Sequence, residues 1–282
     1  AQAVSELRPK HRLADLLRAA RLARSVYYYW SRANEVPDLY ARAKELIKEI
    51  FHQHKGRYGY RRIMLALRHV GCWLNHKTVQ KLMGELKLKS VVRPKRYKSY
   101  RGGMARSAPN TLAREFEAAK PNEKWVTDVT EFNVRGEKVY LSPILDLYNR
   151  EIVSYEVKDR PQMGLVMDML SKAFSRLKVG EKPLLHSDQG WQYQMGSYQQ
   201  KLKERGLEQS MSRKGNCLDN AVMENFFGIL KTEFFHGEKF DSVEAFKAGL
   251  DEYMRYYNHD RIKEKLKGLS PVQYRIQSLK VA

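Results

Sequence analysis

The sequence predicts a mixed α/β domain with helical regions before and after it. Runs rich in β-branched and aromatic residues lie between residues 125 and 158, and helix and strand patterns then alternate up to about residue 236. Before and after this part, apolar residues recur at helical spacing. Hydrophobic residues make up 43% of the 282-residue chain, which is enough for a substantial core.

The charge of the chain indicates a polyanionic partner. The formal net charge is +20, from 52 Lys and Arg against 32 Asp and Glu. Nucleic acid is the simplest partner, because its condensed counterions are released on binding; attachment to a membrane surface is the alternative. The sequence has no apolar run of about 18 residues and no signal-peptide pattern, so we expect a cytoplasmic protein without a membrane partner.

Residues 1–56 are predicted to form a helical region. Apolar positions recur at helical spacing from residue 11, a break is expected at Ser25, and a further helix is expected over about 38–54. A cluster of histidines near Cys72 matches no standard zinc spacing, so we interpret its members as solvated helix residues, with zinc ligation as the weaker alternative. The cluster consists of His52, His54, His69 and His76.

Residues 57–90 are predicted to form a helix-turn-helix. A helix, a turn at Gly71 and a second helix capped by Asn75 follow one another, and the second helix is basic near its start. In DNA-binding motifs of this kind the second helix enters the major groove, which makes Lys77 and Lys81 candidate DNA contacts. A plain helical hairpin is the alternative.

Residues 91–118 are predicted to be a basic linker. The stretch 87–106 contains eight Lys and Arg and no acid, and like charges at this density resist packing. We expect Lys95, Arg96 and Lys98 to lie along DNA phosphates. A solvated spacer without DNA contacts is the alternative.

Residues 119–240 are predicted to form one α/β domain, and residues 241–282 a tail of two helices. The domain begins with strand-like runs, the first being WVTDVTEFNV from residue 125 to 134. Later strands include PLLHSD, which ends at Asp188, and a strong helix follows over about 219–236. Proline at position 271 fits the first position of the last helix.

Three carboxylates in this domain stand where ordinary surface charge is not expected. Asp128 lies within a β-forming run, Asp188 ends an apolar strand, and Glu224 lies on a helix beside an apolar stripe. In-line phosphodiester chemistry uses two Mg²⁺ ions about 4 Å apart, and Mg²⁺ prefers carboxylate oxygens. Taken singly, the same acids are equally explained as a strand-edge charge, a turn residue and a helix-surface partner. On the helix we expect Gly228 to let a phosphate approach closely.

Several longer strings carry a family resemblance. WVTDVTEF, HSDQGWQY and SMSRKGNCLDNAVMENFFGILKTE resemble the three motif blocks of bacterial insertion-sequence transposases that share the retroviral integrase core. The 35 residues between Asp188 and Glu224 match the D,D(35)E pattern of that family. RYGYRRIMLAL with NHKTV resembles its upstream helix-turn-helix, and YYNHDRIKEKLKGLSPVQY its closing segment, so the resemblance covers residues 57–276.

The resemblance implies an RNase H-like, retroviral integrase-type fold and a transposase that nicks element ends to expose 3′-hydroxyls. It then uses a 3′-hydroxyl as the nucleophile in strand transfer, through a circular intermediate. Asp128, Asp188 and Glu224 would then be the catalytic residues and the ligands of two Mg²⁺ ions, with Mn²⁺ as a substitute. Candidate contacts to DNA or linings of the site are Lys231, His186, Arg213, Lys214 and Asn220. Asp146 also ends an apolar strand, but we interpret it as structural.

Family resemblance also implies partners beyond the DNA of element ends and target. We expect a homo-oligomer in a synaptic complex, and the product of a small upstream reading frame, possibly fused to this chain by frameshifting. The absence of an initiator Met fits either its removal or a longer fusion. The alternative functions are an RNase H-like nuclease without strand transfer and a catalytically silent DNA-binding regulator.

Overall fold

The structure is a computed structural model that describes residues 1–35, 38–91, 108–213 and 217–281. Most of the predicted basic linker lies outside these ranges. The predicted DNA contacts Lys95, Arg96, Lys98 and Lys214 therefore lie outside the described residues.

Helices make up the described N-terminal part. They are α1 Gln2–Leu7, α2 Leu13–Ala19, α3 Arg24–Glu35, α4 Ala41–Gln53, α5 Tyr60–His69 and α6 His76–Glu85. The break predicted at Ser25 is wrong, because α3 already includes that residue. The chain turns before it, where Arg21 takes a φ of 50° and the N–H of Leu22 bonds to the carbonyl of Leu17 at 3.0 Å.

The helix pair α5 and α6 follows the predicted helix-turn-helix order. Gly71 has a φ of 78°, a left-handed conformation that closes α5. The side chain of Asn75 accepts the N–H of Lys77 at 3.0 Å, which confirms the predicted N-cap of α6. A φ of 56° at Lys87 follows the end of α6, which stops at Glu85 although the sequence predicts this second helix over about 76–87.

A six-stranded mixed sheet forms the centre of the following domain. Its strands are β1 Lys124–Thr127, β2 Thr130–Val134, β3 Glu137–Asp146, β4 Ile152–Lys158, β5 Leu184–Ser187 and β6 Gln209–Met211. Strand β3 pairs antiparallel with β4 on one side and with β1 and β2 on the other. Strand β5 lies parallel between β1 and β6.

The single strand predicted for residues 125–134 is interrupted at Asp128 and Val129. Strands β1 and β2 pair with β3 in one continuous register, and Pro143 of β3 lies opposite the interruption. The carbonyl of Pro143 accepts the hydroxyl of Thr127 at 2.9 Å, and proline has no N–H to donate across the ladder. This gap releases the backbone at Asp128 from the sheet.

Two hydrophobic cores lie on opposite faces of the sheet. Adjacent residues of β1 alternate between them, since Val126 belongs to one core and Trp125 to the other. The helices of the domain are α7 Met163–Phe174, α8 Trp191–Gln194, α9 Gly196–Glu204 and α10 Ala221–Leu230. The helices of the tail are α11 Val243–His259 and α12 Pro271–Val281. Helix α10 continues as a π-helical turn, Lys231–Phe235.

The helix-turn-helix region shares its core with the tail of the chain. Ile262 belongs to the apolar cluster formed by α4, α5 and α6. The hydroxyl of Tyr58 donates to the carbonyl of Asp260 at 2.9 Å and accepts the N–H of Ile262 at 3.0 Å. His54, predicted to be solvated, stacks on Tyr58 with ring centroids 3.8 Å apart. In the described ranges no helix is long and apolar enough to cross a membrane.

Candidate active site

Asp128 and Asp188 emerge from the same edge of the sheet. Parallel strands β1 and β5 pair Val126 with His186, and each aspartate lies two residues beyond this pair. Because the carboxyl ends of parallel strands meet at one edge, the two acids are brought together although 59 residues separate them in sequence. Both side chains are partly buried.

Each aspartate is held by a backbone N–H close to it in sequence. Oδ1 of Asp128 accepts the N–H of Val129 at 2.7 Å, and Oδ1 of Asp188 accepts the N–H of Gly190 at 2.9 Å. A Cβ at position 190 would lie 2.9 Å from that same Oδ1 and 2.8 Å from Oε1 of Gln192. The glycine of the HSDQG string therefore leaves room for the carboxylate of Asp188.

Glu224 reaches the site from the first turn of α10 and is exposed. The apolar stripe predicted for this helix is confirmed, since Met223, Phe226 and Leu230 are buried in the core beneath the sheet. Gly228 is buried as well, so the expectation that it lets a phosphate approach is wrong. Its carbonyl accepts the hydroxyl of Thr232 at 2.7 Å.

The charges of Asp188 and Glu224 both act on Asp128, which indicates that the three acids lie close together. Burial, the charge of Asp188 and the charge of Glu224 together raise the pKa of Asp128 well above its usual value. Burial also raises the pKa of Asp188. The ammonium of Lys231 acts in the opposite direction on Asp128 and lies 5.3 Å from the ring centroid of Phe132. The site thus carries a surplus of negative charge with one lysine nearby.

The donor set suits hard divalent cations. Carboxylate oxygens are the ligands that Mg²⁺ prefers, usually with water and phosphate oxygens completing the shell. Oδ1 of Asn220 and the hydroxyl of Tyr193 are buried without a hydrogen-bond partner among the described residues. Across the described chain no three His, Cys, Asp or Glu converge on a single ion position. Water and substrate oxygens would have to complete the shell of any ion that these acids hold.

Asn220 and His186 are buried next to the strand ends from which Asp128 and Asp188 emerge. The Nδ2 of Asn220 donates to the carbonyl of Thr127 at 3.3 Å, and the side chain is buried. His186 is fully buried between Ser210 and Ser212, at 2.9 Å from Nδ1 and 3.1 Å from Nε2, so the expectation of a DNA contact there is wrong. Burial lowers the pKa of His186 to about 4, which keeps its ring neutral.

A buried aspartate that sequence reasoning missed anchors the chain before α10. Asp219 accepts Nε of Arg213 at 3.1 Å and Nε of Arg114 at 2.7 Å, as well as the backbone N–H of Arg213 at 2.9 Å. Although burial opposes the shift, these bonds hold the pKa of Asp219 below its usual range. Its place in the CLDN string, between a basic loop and an apolar helix, was the available signal. Arg213, predicted to bind DNA, is paired here yet largely exposed.

Asp146 is structural, as predicted. One carboxylate oxygen accepts the N–H of Asn122 at 2.8 Å and the other that of Tyr148 at 2.9 Å. Burial raises the pKa of Asp146 to about 6. The remaining described candidates, Lys77 and Lys81, are exposed on α6, where the Nζ of Lys81 lies 3.9 Å from a carboxylate oxygen of Glu85.

Comparison with known families gives three matches along the chain. Residues 118–217 and 224–279 each match a family described as an integrase core domain. Residues 40–96 match an HTH-like domain, which includes α5 and α6.

Whole-length relatives are proteins of insertion sequences. The chain is 54% identical, over 98% of its length and 97% of the relative, to the putative transposase InsK of insertion sequence IS150 from Escherichia coli (strain K12). It is 36% identical to the transposase of IS904 from Lactococcus lactis, covering 82% of the chain and 92% of that protein. Among solved structures, the HTLV-2 integrase catalytic core domain in complex with magnesium superposes with a TM-score of 0.44 at 16% identity, over 56% of this chain and 98% of that one.

Proposed function

Because the chain belongs to the insertion-sequence transposases with an RNase H-like integrase core, we propose that it cuts the ends of its element and joins them to target DNA. Asp128, Asp188 and Glu224 carry out this reaction with two Mg²⁺ ions, which Mn²⁺ can replace. The observation that supports the proposal best is the parallel pairing of β1 and β5, which brings Asp128 and Asp188 to the same edge of the sheet, where the charges of Asp188 and Glu224 both act on Asp128. Three acids from distant positions thus act on one another at one place, with the ammonium of Lys231 acting on Asp128 in the opposite direction.

The acids hold the catalytic cations and orient the DNA through them. When bound, the two ions would activate the attacking oxygen and stabilise the leaving oxygen of the phosphodiester. Asp128 and Asp188 directly follow the ends of β1 and β5 and are held by backbone N–H groups of the loops, whereas Glu224 projects from the exposed start of α10. Lys231 lies seven positions after Glu224, at the start of the π-helical turn, and binds a phosphate beside the reacting one. Catalysis then rests on positioning and charge rather than on a covalent intermediate with the protein.

DNA is held by parts of the chain outside the catalytic acids. The exposed Lys77 and Lys81 on α6 contact the element end, because this helix is the second of a helix-turn-helix. The basic linker, with Lys95, Arg96 and Lys98, runs along phosphates, and Arg213 and Lys214 bind DNA near the acids. Two chains or more act together on two element ends, and the product of an upstream reading frame assists in recognising them.

Labelled duplexes copied from the DNA beside this reading frame test the proposal. They are incubated with Mg²⁺ and either the wild-type chain or Glu224→Gln, a substitution that keeps the size of the exposed side chain. We expect cleaved and joined products from the wild type alone. Cleavage without joining would instead indicate a nuclease. DNA binding with no reaction, also after the upstream product is added, would indicate a regulator.

A further inference from the structure

A large cavity lies on the side of α10 that faces away from Glu224. Its volume is about 1440 Å³, and it is bounded by the start of α5, by residues 114–118 and by the tail of the chain. Val222, Asn225 and Ile229 line it, whereas Glu224 does not. Since successive residues of a helix are about 100° apart, these three project from the other side of α10. The helix therefore separates the cavity from the catalytic acids.

Positive charge dominates the walls of this cavity. Among the described residues that line it, seven are Arg or Lys and three are Glu. Four of these cations form no ion pair with any described residue: Arg61, Arg150, Lys263 and Lys265. Arg150 instead donates to the carbonyl of Phe116 at 3.0 Å, and burial lowers its pKa. The carboxylates of Asp146 and Glu117 already act on Arg150, so the exposed Arg61 and Lys265 are the cations most open to a bound anion.

Lys263 lies close enough to three arginines of the cavity for their charges to affect its pKa. Its ammonium donates to the hydroxyl of Tyr257 at 2.6 Å and lies 4.3 Å from the centroid of that ring. Burial lowers its pKa well below the usual value, and the charges of Arg261, Arg150 and Arg62 lower it further. The carboxylate of Glu233 opposes them, but it is already bonded to Arg261. An anion in the cavity would meet several cations at once.

Aromatic rings lie between the cations. Tyr60, Phe116, Tyr148 and Tyr274 line the cavity and are each partly exposed. The rings of Tyr148 and Tyr274 are 5.6 Å apart and inclined by 47°, so they do not stack on each other face to face. Partly exposed rings among cations are the arrangement on which proteins bind single-stranded nucleic acid, with bases on the rings and phosphates on the cations.

We infer that this cavity binds a single strand of DNA that continues from the strand held at the catalytic acids. The inference rests on the proposed function, which brings a DNA strand to the start of α10, where Val222 and Glu224 point to opposite sides. A duplex offers only base edges in its grooves and keeps its base faces stacked, so it cannot use the rings. An acidic protein segment would use the cations but would leave no role for the rings.

The experiment measures binding of a fluorescent oligothymidine to the full chain without metal, over a range of salt concentrations. Arg61→Ala with Lys265→Ala removes two exposed cations of the cavity. Because each contacted phosphate of a single strand contributes about 0.7 to the log–log salt slope, the slope should fall by about 1.4. Tyr274→Ala should weaken binding about tenfold with the slope unchanged, through the loss of one stacked base. The control pair Lys178→Ala with Lys203→Ala removes two exposed lysines that do not line the cavity.

Crosslinking localises the strand directly. An oligothymidine carrying 5-iodouracil should attach to Tyr60, Tyr148 or Tyr274, and excess duplex should displace it poorly. Attachment only elsewhere, displacement by duplex at equal concentration, or equal effects of the cavity and control pairs would overturn the inference. If the wild-type chain shows one of these results but still cleaves element ends, the cavity inference is wrong and the proposed function is not affected. A chain that binds the oligonucleotide through the cavity but never cleaves or joins element ends contradicts the proposed function alone.

Discussion

The guanidinium of Arg261 donates two hydrogen bonds to the carboxylate of Glu233, at 2.8 Å from Nε and 2.6 Å from Nη2, and both side chains are buried. Glu233 lies on the π-helical turn that extends α10, the helix of Glu224. It also accepts the hydroxyl of Tyr253 at 3.0 Å, and its backbone carbonyl accepts Nε of Arg57 at 3.0 Å. Glu233 thus connects α10, the tail and the helix-turn-helix region through its carboxylate and its backbone carbonyl.

Replacing Arg261 by Met should lower the free energy of unfolding by about 3–5 kcal/mol, because it leaves the carboxylate of Glu233 buried with too few partners. Urea unfolding followed by circular dichroism measures the change. Lys138→Met is the control, since its pair with Glu131 is exposed on both sides and should contribute about 1 kcal/mol or less. An equal decrease in the free energy of unfolding of the two variants would show that the buried pair stabilises the chain no more than the exposed pair does.

Asp128→Asn should abolish cleavage and yet stabilise the metal-free chain near pH 7. The raised pKa of Asp128 means that the folded chain holds a proton which the unfolded chain releases from about pH 3.8 upward. The free energy of unfolding of the wild type therefore falls as the pH rises from about 3.8 to the pKa of Asp128 in the folded chain. The variant has an amide that does not titrate, so it does not suffer this fall. Thermal unfolding between pH 4 and 8 checks the sign, with the exposed Asp159→Asn as control. A variant that is less stable than the wild type at pH 7 would contradict the argument.

Gly190→Ala should reduce cleavage by roughly tenfold to a hundredfold without unfolding the chain. The added Cβ would displace the carboxylate of Asp188 or the side chain of Gln192, and displacements of about 1 Å at a reacting centre have effects of this size. Single-turnover cleavage rates measure the effect. Gly196→Ala is the matched control, because a Cβ there meets nothing within 4 Å. If both alanines slow cleavage alike, the close approach at Gly190 is irrelevant.

Asn220→Ala should slow cleavage about tenfold and leave affinity for duplex DNA unchanged. Its amide bonds to the backbone carbonyl that precedes Asp128, so its loss loosens the catalytic carboxylate rather than a DNA contact. Cleavage rates and equilibrium binding, measured on the same duplex, separate the two roles. A fall in affinity with a normal rate at saturating DNA would make Asn220 a DNA contact, as the sequence suggested.

Changing Lys95, Arg96 and Lys98 together to Ala should flatten the salt dependence of duplex binding by roughly 2.7 log–log units, since each duplex phosphate contributes about 0.9. Filter binding or anisotropy at several salt concentrations gives the slope. The exposed lysines Lys178, Lys203 and Lys239, changed together, provide a control of equal charge. An unchanged slope in the linker variant alone would make the linker a spacer.

Much of the sheet and its acids could be predicted because local patterns and motif spacing agree. The alternation of β-branched residues located the strands, and the buried stripe of α10 turned Glu224 outward as expected. The interruption at Asp128 could not be predicted from residues 125–134, because its cause is Pro143 in the neighbouring strand. The roles of Asp219 and Glu233 depend likewise on partners that are distant in sequence, and a buried charge looks the same as a surface charge until those partners are known.

The shared core of the helix-turn-helix region and the tail has a consequence for the time course of synthesis. Tyr58 and Ile262, which are bonded to each other, are separated by 204 positions. A ribosome adds roughly 5–20 residues per second, so α4, α5 and α6 wait on the order of ten seconds or more for the residue that completes their core. During this interval the growing chain has an incomplete N-terminal core, which is completed only after the sheet domain has been synthesised.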